Sequence, residues 1–347
     1  MNRLQGASVV SVYPPNSGVG TYARRLFNLG LYEELVMFRI SGPELGYDRV
    51  IKYRFNPNGL MSFLSIYIKS RWSSYSSERS LIHITSPDYF HMIKFNPKTY
   101  GTVHDIFALQ SRDLFYRKYF MKEMSFAERL AGIVVPSRFT QKALEDRFPH
   151  LRTTVIHNWT GSEFHPRDME ESRKRLNLPV DKKIVLSVGS DIPRKNLTII
   201  PQIVERLGKD FMLIRLGSFS FFNGGDGFKV REMIETKRVA VIRDVPEELI
   251  PLYYNAANVL IAPSLEEGFD YPVIEAINSN IPVVASDIEV HREVMMNRGH
   301  FADPRDPDEW VGEIAKAVDE KNPWDGFGDH YREERAIQEY LKFYGIG

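Results

Sequence analysis

Two glutamates eight positions apart, Glu267 and Glu275, are the side chains whose type and spacing best suit ligand chemistry. Carboxylates accept hydrogen bonds from vicinal hydroxyl groups, and the free N–H groups at a helix start attract anions. Because Glu267 precedes a predicted helix and Glu275 lies within it, one carboxylate can meet each end of an extended ligand. A sugar joined to a phosphate would suit this pair. The alternative is that both glutamates are solvated or cap the helix. Two glutamates without further evidence would favour that alternative.

The stretch around these glutamates predicts a strand, a tight turn and a helix. The apolar run 259–262 is typical of a buried parallel strand, Gly268 marks the turn, and Pro272 begins a helix at residues 273–279. In an open parallel sheet, ligands bind where a helix N-terminus faces such a turn. The sequence therefore places both glutamates at the ligand-binding edge of a sheet.

Arg194 and Lys195 form a second candidate cluster. They follow a predicted strand that ends at Gly189, and they precede a predicted helix at residues 197–207 that Asn196 would cap. Cations beside a helix N-terminus are unfavourable unless an anion binds there, because that end of the helix dipole is already positive. The pair therefore indicates a phosphate site, with a solvated loop as the alternative.

A glycine loop follows the first predicted strand, residues 8–13, and precedes a helix at residues 21–29. Backbone N–H groups near Gly18 and Val19 could approach a diphosphate closely. The stretch 18–23 also matches the dinucleotide pattern G-x-G-x-x-A, for which a plain strand-to-helix turn is the commonest alternative. A nicotinamide enzyme would further need an acidic residue at the end of the second strand, where Glu44 is only a late candidate.

His104 and Asp105 follow a predicted strand at residues 99–103. A histidine at the carboxyl end of a parallel strand lies at the ligand-binding edge, and a buried structural histidine is an equal alternative. The next predicted helix, residues 111–130, mixes basic and aromatic side chains. That mixture is typical of a membrane-surface helix, but acidic residues in the same helix favour an ordinary solvated face.

Length and composition indicate a globular protein of two domains. The chain has 347 residues, 43% hydrophobic and 26% charged, with a formal net charge of +0, so bulk charge does not favour nucleic acid. The absence of cysteine excludes disulfides and thiolate metal sites, and it suits a reducing compartment. The apolar run 7–12 is too short for a signal peptide or a membrane span. A cytoplasmic protein is expected, with a peripheral position at the inner face of a membrane left open.

Strands alternate with helices along the chain, which predicts parallel, doubly wound sheets. The expected domains are residues 1–160 and 183–328, joined by a linker at 161–182. A helix at 59–75, another at 228–236 and an aromatic, glycine-rich turn at 218–227 are also predicted. Asp303, Asp306 and Asp308 alternate with prolines before a helix, so capping explains them better than a metal site.

The stretch SLEEGFDYPVIEA, residues 264–276, followed by NSNIPVVASD, residues 278–287, resembles the signature of retaining glycosyltransferases of the large group 1 family (family 4). This resemblance implies the GT-B fold, with two Rossmann-like doubly wound domains facing each other across a cleft and a C-terminal helix, 329–347, crossing back to the first domain. The sequence departs from the signature at Asp270 and Tyr271, where the family usually has a glycine and an aliphatic residue. That departure leaves the identity of the donor sugar undetermined.

The same resemblance implies residue roles. Glu267 would contact hydroxyls of the donor sugar, Glu275 the ribose, and His104 the sugar near its 6-hydroxyl. The residues expected to act in catalysis are His104, Glu267, Arg194 and Lys195. The expected donor-binding set is Gly18, Val19, Gly189, Arg194, Lys195, Arg243, Val245, Glu267, Gly268, Phe269, Asp270, Tyr271 and Glu275. The acceptor-side candidates are Tyr22, Asp105 and Ser137.

The expected activity is transfer of a hexose-type sugar from a UDP or GDP sugar to a hydroxyl acceptor, with retention of configuration and without metal or cofactor. The acceptor would be a glycan, a lipid-linked molecule or a small molecule. Cationic side chains and helix N-termini could neutralise the departing diphosphate without a metal. A nicotinamide-dependent Rossmann enzyme and a non-catalytic protein that binds sugar nucleotides are the alternatives.

Overall fold

The computed structural model describes residues 4–11, 13, 17–39, 49–52, 80–92, 97–217, 238–327 and 329–346. The chain divides into two compact units, which we call unit 1 (Met1–Asn158 with Glu333–Gly347) and unit 2 (Trp159–Arg332). The helices predicted at 59–75 and 228–236, the turn predicted at 218–227 and the candidate Glu44 lie outside the described residues.

Unit 1 contains a seven-stranded sheet in which every neighbouring pair is parallel. Its strands are β1 Ala7–Ser11, β2 Glu34–Arg39, β3 Arg49–Lys52, β4 Leu81–Ile84, β5 Thr99–Thr102, β6 Gly132–Val135 and β7 Thr153–Val155. They are ordered β3-β2-β1-β4-β5-β6-β7. All residues of β1, β4, β5 and β6 are buried, as in a sheet covered by helices on both faces.

The α-helices described in unit 1 are α1 Gly18–Asn28, α2 Leu114–Ala127, α3 Arg138–Arg147 and α10 Glu333–Phe343. The first three of these helices have an N-terminal cap. The side chains of Ser17, Asp113 and Ser137 each accept a hydrogen bond from an N–H group of the first turn. The last helix comes from the C-terminal end of the chain. Rings of Phe343 and Tyr344, at its end, lie 5.0 and 4.8 Å from the Tyr100 ring on β5.

Unit 2 contains a six-stranded sheet, also parallel throughout. Its strands are β8 Lys183–Val188, β9 Phe211–Leu216, β10 Val239–Ile242, β11 Val259–Ala262, β12 Val283–Ser286 and β13 His300–Ala302. The order is β10-β9-β8-β11-β12-β13, which reverses between β8 and β11. Loops that follow the two strands at such a reversal leave a crevice between them, and this is where open α/β sheets bind ligands.

The α-helices described in unit 2 are α4 Met169–Arg175, α5 Ile200–Arg206, α6 Ile250–Ala256, α7 Tyr271–Asn278, α8 Glu289–Val294 and α9 Pro307–Ala317. The side chains of Trp310 and Ile314 on α9 are fully buried against the sheet core. Asp306 caps this helix through the N–H groups of Asp308 and Glu309, so the prediction of capping is confirmed there. The architecture of two doubly wound α/β units is likewise confirmed.

Several local predictions differ from the structure. Asn196 does not cap a helix, because it adopts a left-handed conformation with φ 51° and its side-chain amide donates to the Pro304 carbonyl at 2.7 Å. The α-helix after it begins only at Ile200. Residues 161–182, expected to form a linker, lie in unit 2 and include α4. The short elements β13 and α8 were not predicted.

Within the described residues, no α-helix is both long enough and apolar enough to cross a bilayer.

Candidate functional site

The loops that follow β8 and β11 meet at the reversal point of the unit 2 sheet. Gly189 ends the first strand with φ +134°, and a single-turn 3-10 helix, Pro193–Lys195, follows it. The Leu265 N–H donates to the Arg194 carbonyl at 2.7 Å, which joins the two loops. The fold therefore brings the predicted basic pair and the predicted glutamate turn together, although about 70 residues separate them.

A four-residue ion-pair cluster occupies this place. Arg194 Nη1 lies 2.5 Å from Glu267 Oε2, and Lys195 Nζ lies 2.6 Å from Glu267 Oε1. Lys195 Nζ also contacts Asp270 Oδ1 at 2.8 Å. The carboxylates are almost completely buried, at 5% and 2% exposure, whereas the Arg194 side chain is 31% exposed. The carboxylates of Glu267 and Asp270 are thus the anions beside Arg194 and Lys195, where the sequence had suggested a phosphate.

Charge pairing determines the protonation of this cluster. Burial by itself lowers the pKa of the Lys195 ammonium, but Asp270 and Glu267 outweigh it and the pKa is raised. Burial by itself raises the pKa of Asp270, yet Lys195 and His291 hold it well below its ordinary value. Lys195 is therefore a cation and Asp270 an anion at neutral pH. Because the two groups are in contact, both stay charged although they are buried.

Glu275 lies inside α7, which begins one residue after Asp270 and carries a proline in its first turn, as predicted. The Tyr254 hydroxyl on α6 donates to Glu275 Oε2 at 2.8 Å. The Tyr254 ring is itself held by edge contact with Phe164, with ring centroids 5.6 Å apart. Tyr254 thus orients an oxygen of the Glu275 carboxylate, and the residue is only 8% exposed.

Two glycines and a buried arginine shape the wall of the site at β8 and β9. Gly217 ends β9 with φ +128°, and a Cβ there would lie 2.4 Å from the Gly189 carbonyl oxygen. Only glycine permits this approach of the two backbones. Below it, the buried Arg215 guanidinium donates to the carbonyls of Gly189 and Ser190 at 2.7 and 3.2 Å. Burial lowers the pKa of Arg215 to about 10, a value that still leaves it charged.

The remaining donor-site candidates of unit 2 lie in the same turns or at the sheet edge. Gly268 and Phe269 are buried in the turn before α7, where the Phe269 ring meets the Tyr271 ring edge-on at 6.4 Å. Arg243 and Val245 follow the edge strand β10, the first exposed and the second half-buried. The structure thus places these candidates at the carboxyl edge of one sheet, and their roles stay predictions.

His104 occupies the corresponding edge of unit 1. Its Nε2 donates to the Thr85 carbonyl at 2.9 Å, and the Tyr22 ring packs edge-on against it at 4.7 Å. Burial lowers the pKa of His104 to about 4, against the opposing effect of the Thr85 hydrogen bond. The imidazole is therefore neutral at pH 7, with its Nε2–H oriented by the end of β4.

The acceptor-side candidates make hydrogen bonds within the fold of unit 1. Tyr22 is buried, and its hydroxyl bonds Thr102 Oγ1 and Tyr340 Oη at 2.7 and 2.5 Å. The Ser137 hydroxyl is fully buried as the cap of α3, which speaks against contact with an acceptor. Asp105 accepts the Phe107 N–H at 3.0 Å. Gly18 and Val19 form the first turn of α1 rather than a loop ahead of it.

Sequence reasoning missed three residues that build the site: Arg215, Tyr254 and His291. An arginine in the middle of the apolar strand FMLIRL could have signalled burial, because such a charge needs fixed partners. The other two carry no local signal, since Tyr254 and His291 reach their partners across 21 positions of sequence. In the described part of the chain, no three His, Asp or Glu side chains are grouped to hold a metal ion.

Comparison with solved structures identifies the class of fold. Sucrose-phosphate synthase from Thermosynechococcus elongatus superposes with a TM-score of 0.72 at 20% identity, covering 97% of this chain and 98% of that one. Anabaena Alr3699/HepE, solved in complex with UDP and glucose, gives a TM-score of 0.74 at 16% identity, with coverages of 97% and 98%. At these identities the likeness shows the fold, and the chain has the GT-B fold predicted from its sequence.

The family follows from sequence comparison. Residues 168–334 match the family described as "Glycosyl transferases group 1". O-antigen chain mannosyltransferase RfbU of Salmonella typhimurium is 26% identical over 217 residues, 61% of this chain and 59% of that protein. Alpha-galactosylglucosyldiacylglycerol synthase of Streptococcus pneumoniae is 24% identical over 290 residues, 77% of each. Residues 168–334 therefore match this family, and the match includes residues 264–287, from which the resemblance was drawn.

The family match covers the part of the chain that holds the ion-pair cluster. Over the first two curated relatives, the alignments span 59% and 46% of their lengths. The family match includes Arg194, Lys195, Glu267 and Glu275. The nicotinamide interpretation of the Gly18 loop gains no support from these comparisons.

Proposed function

We propose that this protein is a glycosyltransferase that takes a hexose-type sugar from a nucleoside-diphosphate sugar and transfers it to a hydroxyl acceptor. The observation that carries the proposal is the cluster of Arg194, Lys195 and Glu267 at the reversal point of the unit 2 sheet. The group 1 family match supports it, as does a neighbour of the same fold solved with UDP and glucose.

The cluster offers the two chemistries that a sugar nucleotide requires. The departing diphosphate develops negative charge, and the Arg194 and Lys195 cations lie where a partly desolvated site strengthens their effect. Both Glu267 oxygens are fixed by these cations, and a carboxylate oxygen retains capacity for a further hydrogen bond from a sugar hydroxyl. Glu275, oriented by Tyr254, is the proposed partner of the ribose hydroxyls.

We infer a UDP or GDP donor, retention of anomeric configuration and no requirement for a metal or cofactor. Charge neutralisation by side chains and helix N-termini supplies what a metal would otherwise supply. Retention would follow from a front-face route in which the leaving phosphate takes the acceptor proton. NMR of the product tests this point, since an inverted anomeric centre would contradict it.

For the acceptor we propose a glycan or a lipid-linked hydroxyl, with the enzyme acting at a membrane surface. Helix α2 supports this, because its first two turns expose Leu114, Phe115 and Tyr116 at 64%, 48% and 40%. Exposed cations Arg117 and Lys118 lie directly beside them. Two relatives named for O-antigen mannose transfer and diacylglycerol glycosylation make such acceptors reasonable substrates to test.

The proposal is tested by turnover with a panel of UDP, GDP and ADP sugars, with glycan and lipid extracts as acceptors. Mass spectrometry of the lipid and soluble fractions should detect a product whose mass has increased by one hexose. The expected result is a product with one donor class that disappears in Arg194→Met. A protein that binds a sugar nucleotide tightly but forms no product with any fraction would instead be a non-catalytic binding protein.

A further inference from the structure

A groove of about 610 Å³ lies on unit 1 and is lined by residues of helices α2 and α3. Helix α2 contributes four side chains at positions i, i+3, i+4 and i+7, which are Leu114, Arg117, Lys118 and Met121. Residues at these spacings share one face of a helix. The α2 side of the groove therefore carries two cations between two apolar side chains.

Helix α3 and the segment between β5 and α2 complete the lining. Ala143, Asp146 and Arg147 stand at positions i, i+3 and i+4 of α3, so they also share one face. Ile106 and Leu109 are partly buried, and both pack against the hydrophobic core of unit 1. The groove thus combines an apolar part that continues into the core with charged side chains from two helices.

The charges of the groove do not cancel. Arg117, Lys118 and Arg147 are exposed, and none of these side chains makes a hydrogen bond or an ion pair with a described residue. Asp146 is the one carboxylate among the lining residues, and it lies 3.5 Å from Lys142 of the same helix. Arginine stays charged at any physiological pH, and its planar guanidinium matches the oxygens of a phosphate. The excess of positive charge therefore favours an anion, and a phosphate in particular.

We propose that this groove binds the phosphate of an anionic phospholipid. Arg117, Lys118 and Arg147 hold the phosphate, and the first carbons of an acyl chain contact Ile106 and Leu109. A lipid phosphate is the ligand that uses both parts of the lining, since a free anion leaves the apolar part in water and a neutral lipid leaves the cations unpaired. The inference rests on the membrane contact proposed for α2, because it names the lipid group that this contact holds.

The test is calorimetric titration of the full chain with monomeric dihexanoylphosphatidylglycerol, compared between Arg147→Gln and Arg138→Gln. Both substitutions remove one exposed positive charge from α3, but Arg138 does not line the groove. Loss of a charge-assisted hydrogen bond should weaken binding about tenfold in Arg147→Gln, whereas Arg138→Gln should stay within about twofold of wild type. Equal affinity of the two variants would overturn the proposal, as would a wild type that does not bind this lipid.

Asp146→Asn and Met121→Gln test the charge and the apolar part separately. Both side chains are exposed, so neither substitution should disturb folding. Asp146→Asn removes the negative charge of the lining and should strengthen binding about threefold. Met121→Gln keeps every charge but loses apolar contact, and it should weaken binding about threefold. Weaker binding in Asp146→Asn, or full affinity in Met121→Gln, would contradict the proposal.

Two further ligands decide whether the site recognises a lipid phosphate. Dihexanoylphosphatidylcholine has the same chains with a zwitterionic headgroup, and inorganic phosphate is an anion without a chain. Each should bind the wild type at least about tenfold more weakly than dihexanoylphosphatidylglycerol. If either binds as tightly, the assignment to an anionic phospholipid is wrong.

Vesicle binding and turnover distinguish this inference from the proposed function. If Arg147→Gln binds the monomeric lipid as the wild type does, while Leu114→Ser with Phe115→Ser abolishes binding to phosphatidylglycerol vesicles, the membrane contact stands and the groove is not the lipid site. If the groove binds the lipid but the protein transfers no sugar from any donor, the proposed function fails and the lipid site stands.

Discussion

Glu267 pairs with both cations of the site and is the residue proposed to contact the sugar. One oxygen pairs with Arg194 and the other with Lys195, both within 2.6 Å. The substitution Glu267→Gln keeps the shape of the side chain but removes the negative charge that fixes both cations. We expect the rate of sugar transfer to fall by on the order of 100-fold, as for loss of one preorganised electrostatic contact. Initial rates at saturating donor give the comparison.

Glu266→Gln is the control for this substitution. The Glu266 side chain is exposed, and the contact described between Glu266 and Arg194 is made by its backbone carbonyl. The substitution should therefore leave the rate within about twofold of wild type. If the Glu267→Gln enzyme keeps the wild-type rate, the cluster has only a structural role.

The buried histidines of unit 1 predict a dependence of stability on pH. Burial, and next the neighbouring His104, lower the pKa of His83 to about 3, and burial lowers the pKa of His104 to about 4. Both values lie below the ordinary 6.5, so the unfolded chain binds more protons. The free energy of unfolding should therefore fall as pH drops below about 6.5. Urea unfolding at pH 7 and pH 5 measures the difference.

His83→Gln should make that pH dependence shallower, because it removes one of the two groups. His150→Gln is the matched control, since His150 is exposed at the end of α3, and it should leave the slope unchanged. Equal stability of the wild type at both pH values would show that folding does not lower the pKa of these imidazoles.

At the scale of residues, the sequence predicted the side chains with local signals and missed those with distant partners. Glu267, Arg194 and Lys195 stand in recognisable turns, so their convergence followed from the rule for parallel sheets. Asn196 seemed a cap by its type, yet its left-handed backbone directs the amide to Pro304. The role of His291 depends on contact with Asp270 across the sheet edge, which no local pattern encodes.

Among the elements, α2 makes the most specific prediction. Its inner face is anchored to the 3-10 turn Pro87–Met92, where His91 Nδ1 and Glu123 Oε1 lie 2.5 Å apart. The helix also carries four of the seven large hydrophobic side chains that are exposed in the described part of the chain. Apolar side chains beside cations bind anionic bilayers through burial and charge together. Leu114→Ser with Phe115→Ser should abolish co-sedimentation with phosphatidylglycerol vesicles.

Val180→Ser is the control for this helix, because Val180 is 69% exposed but belongs to unit 2 and not to α2. It should co-sediment as the wild type does. Neutral phosphatidylcholine vesicles should capture less wild-type protein than anionic ones. Retention of the double serine variant on anionic vesicles would rule out the first turn of α2 as the membrane contact.

Helix α10 should stabilise unit 1 through a buried hydroxyl network. The Tyr344 hydroxyl lies 2.6 Å from His83 Nδ1 and also contacts the Tyr32 hydroxyl. Tyr344→Phe leaves these buried groups without that partner, which costs about 1–3 kcal/mol of unfolding free energy. Chemical denaturation measures the loss. Tyr116→Phe, at an exposed tyrosine of α2, should cost less than about 0.5 kcal/mol.

Elements of clear periodicity were predicted well, whereas short ones were not. The strands at 259–262 and 99–103 differ from β11 and β5 by no more than one residue. The three-residue strand β13 offers too few alternating positions to be recognised. Helix ends also shifted: the helix predicted at 111–130 is α2, Leu114–Ala127, because Asp113 caps it.

Over the whole molecule, the two units repeat one topological rule. In unit 1 the strand order reverses between β1 and β4, and in unit 2 between β8 and β11. Thr85, which orients His104, follows β4, and the glutamate turn follows β11. Alternation of strands and helices suffices to predict this class of fold. The acceptor could not be predicted, because side chains chosen for it in unit 1, such as Ser137, are used within the fold.

The most direct test of the central claim is calorimetric titration of the wild-type protein with UDP, GDP, ADP and NAD. Binding of one nucleoside diphosphate, lost in Arg194→Met and retained in the surface variant Arg175→Met, is the predicted result. Binding of NAD with no affinity for any nucleoside diphosphate would contradict the account.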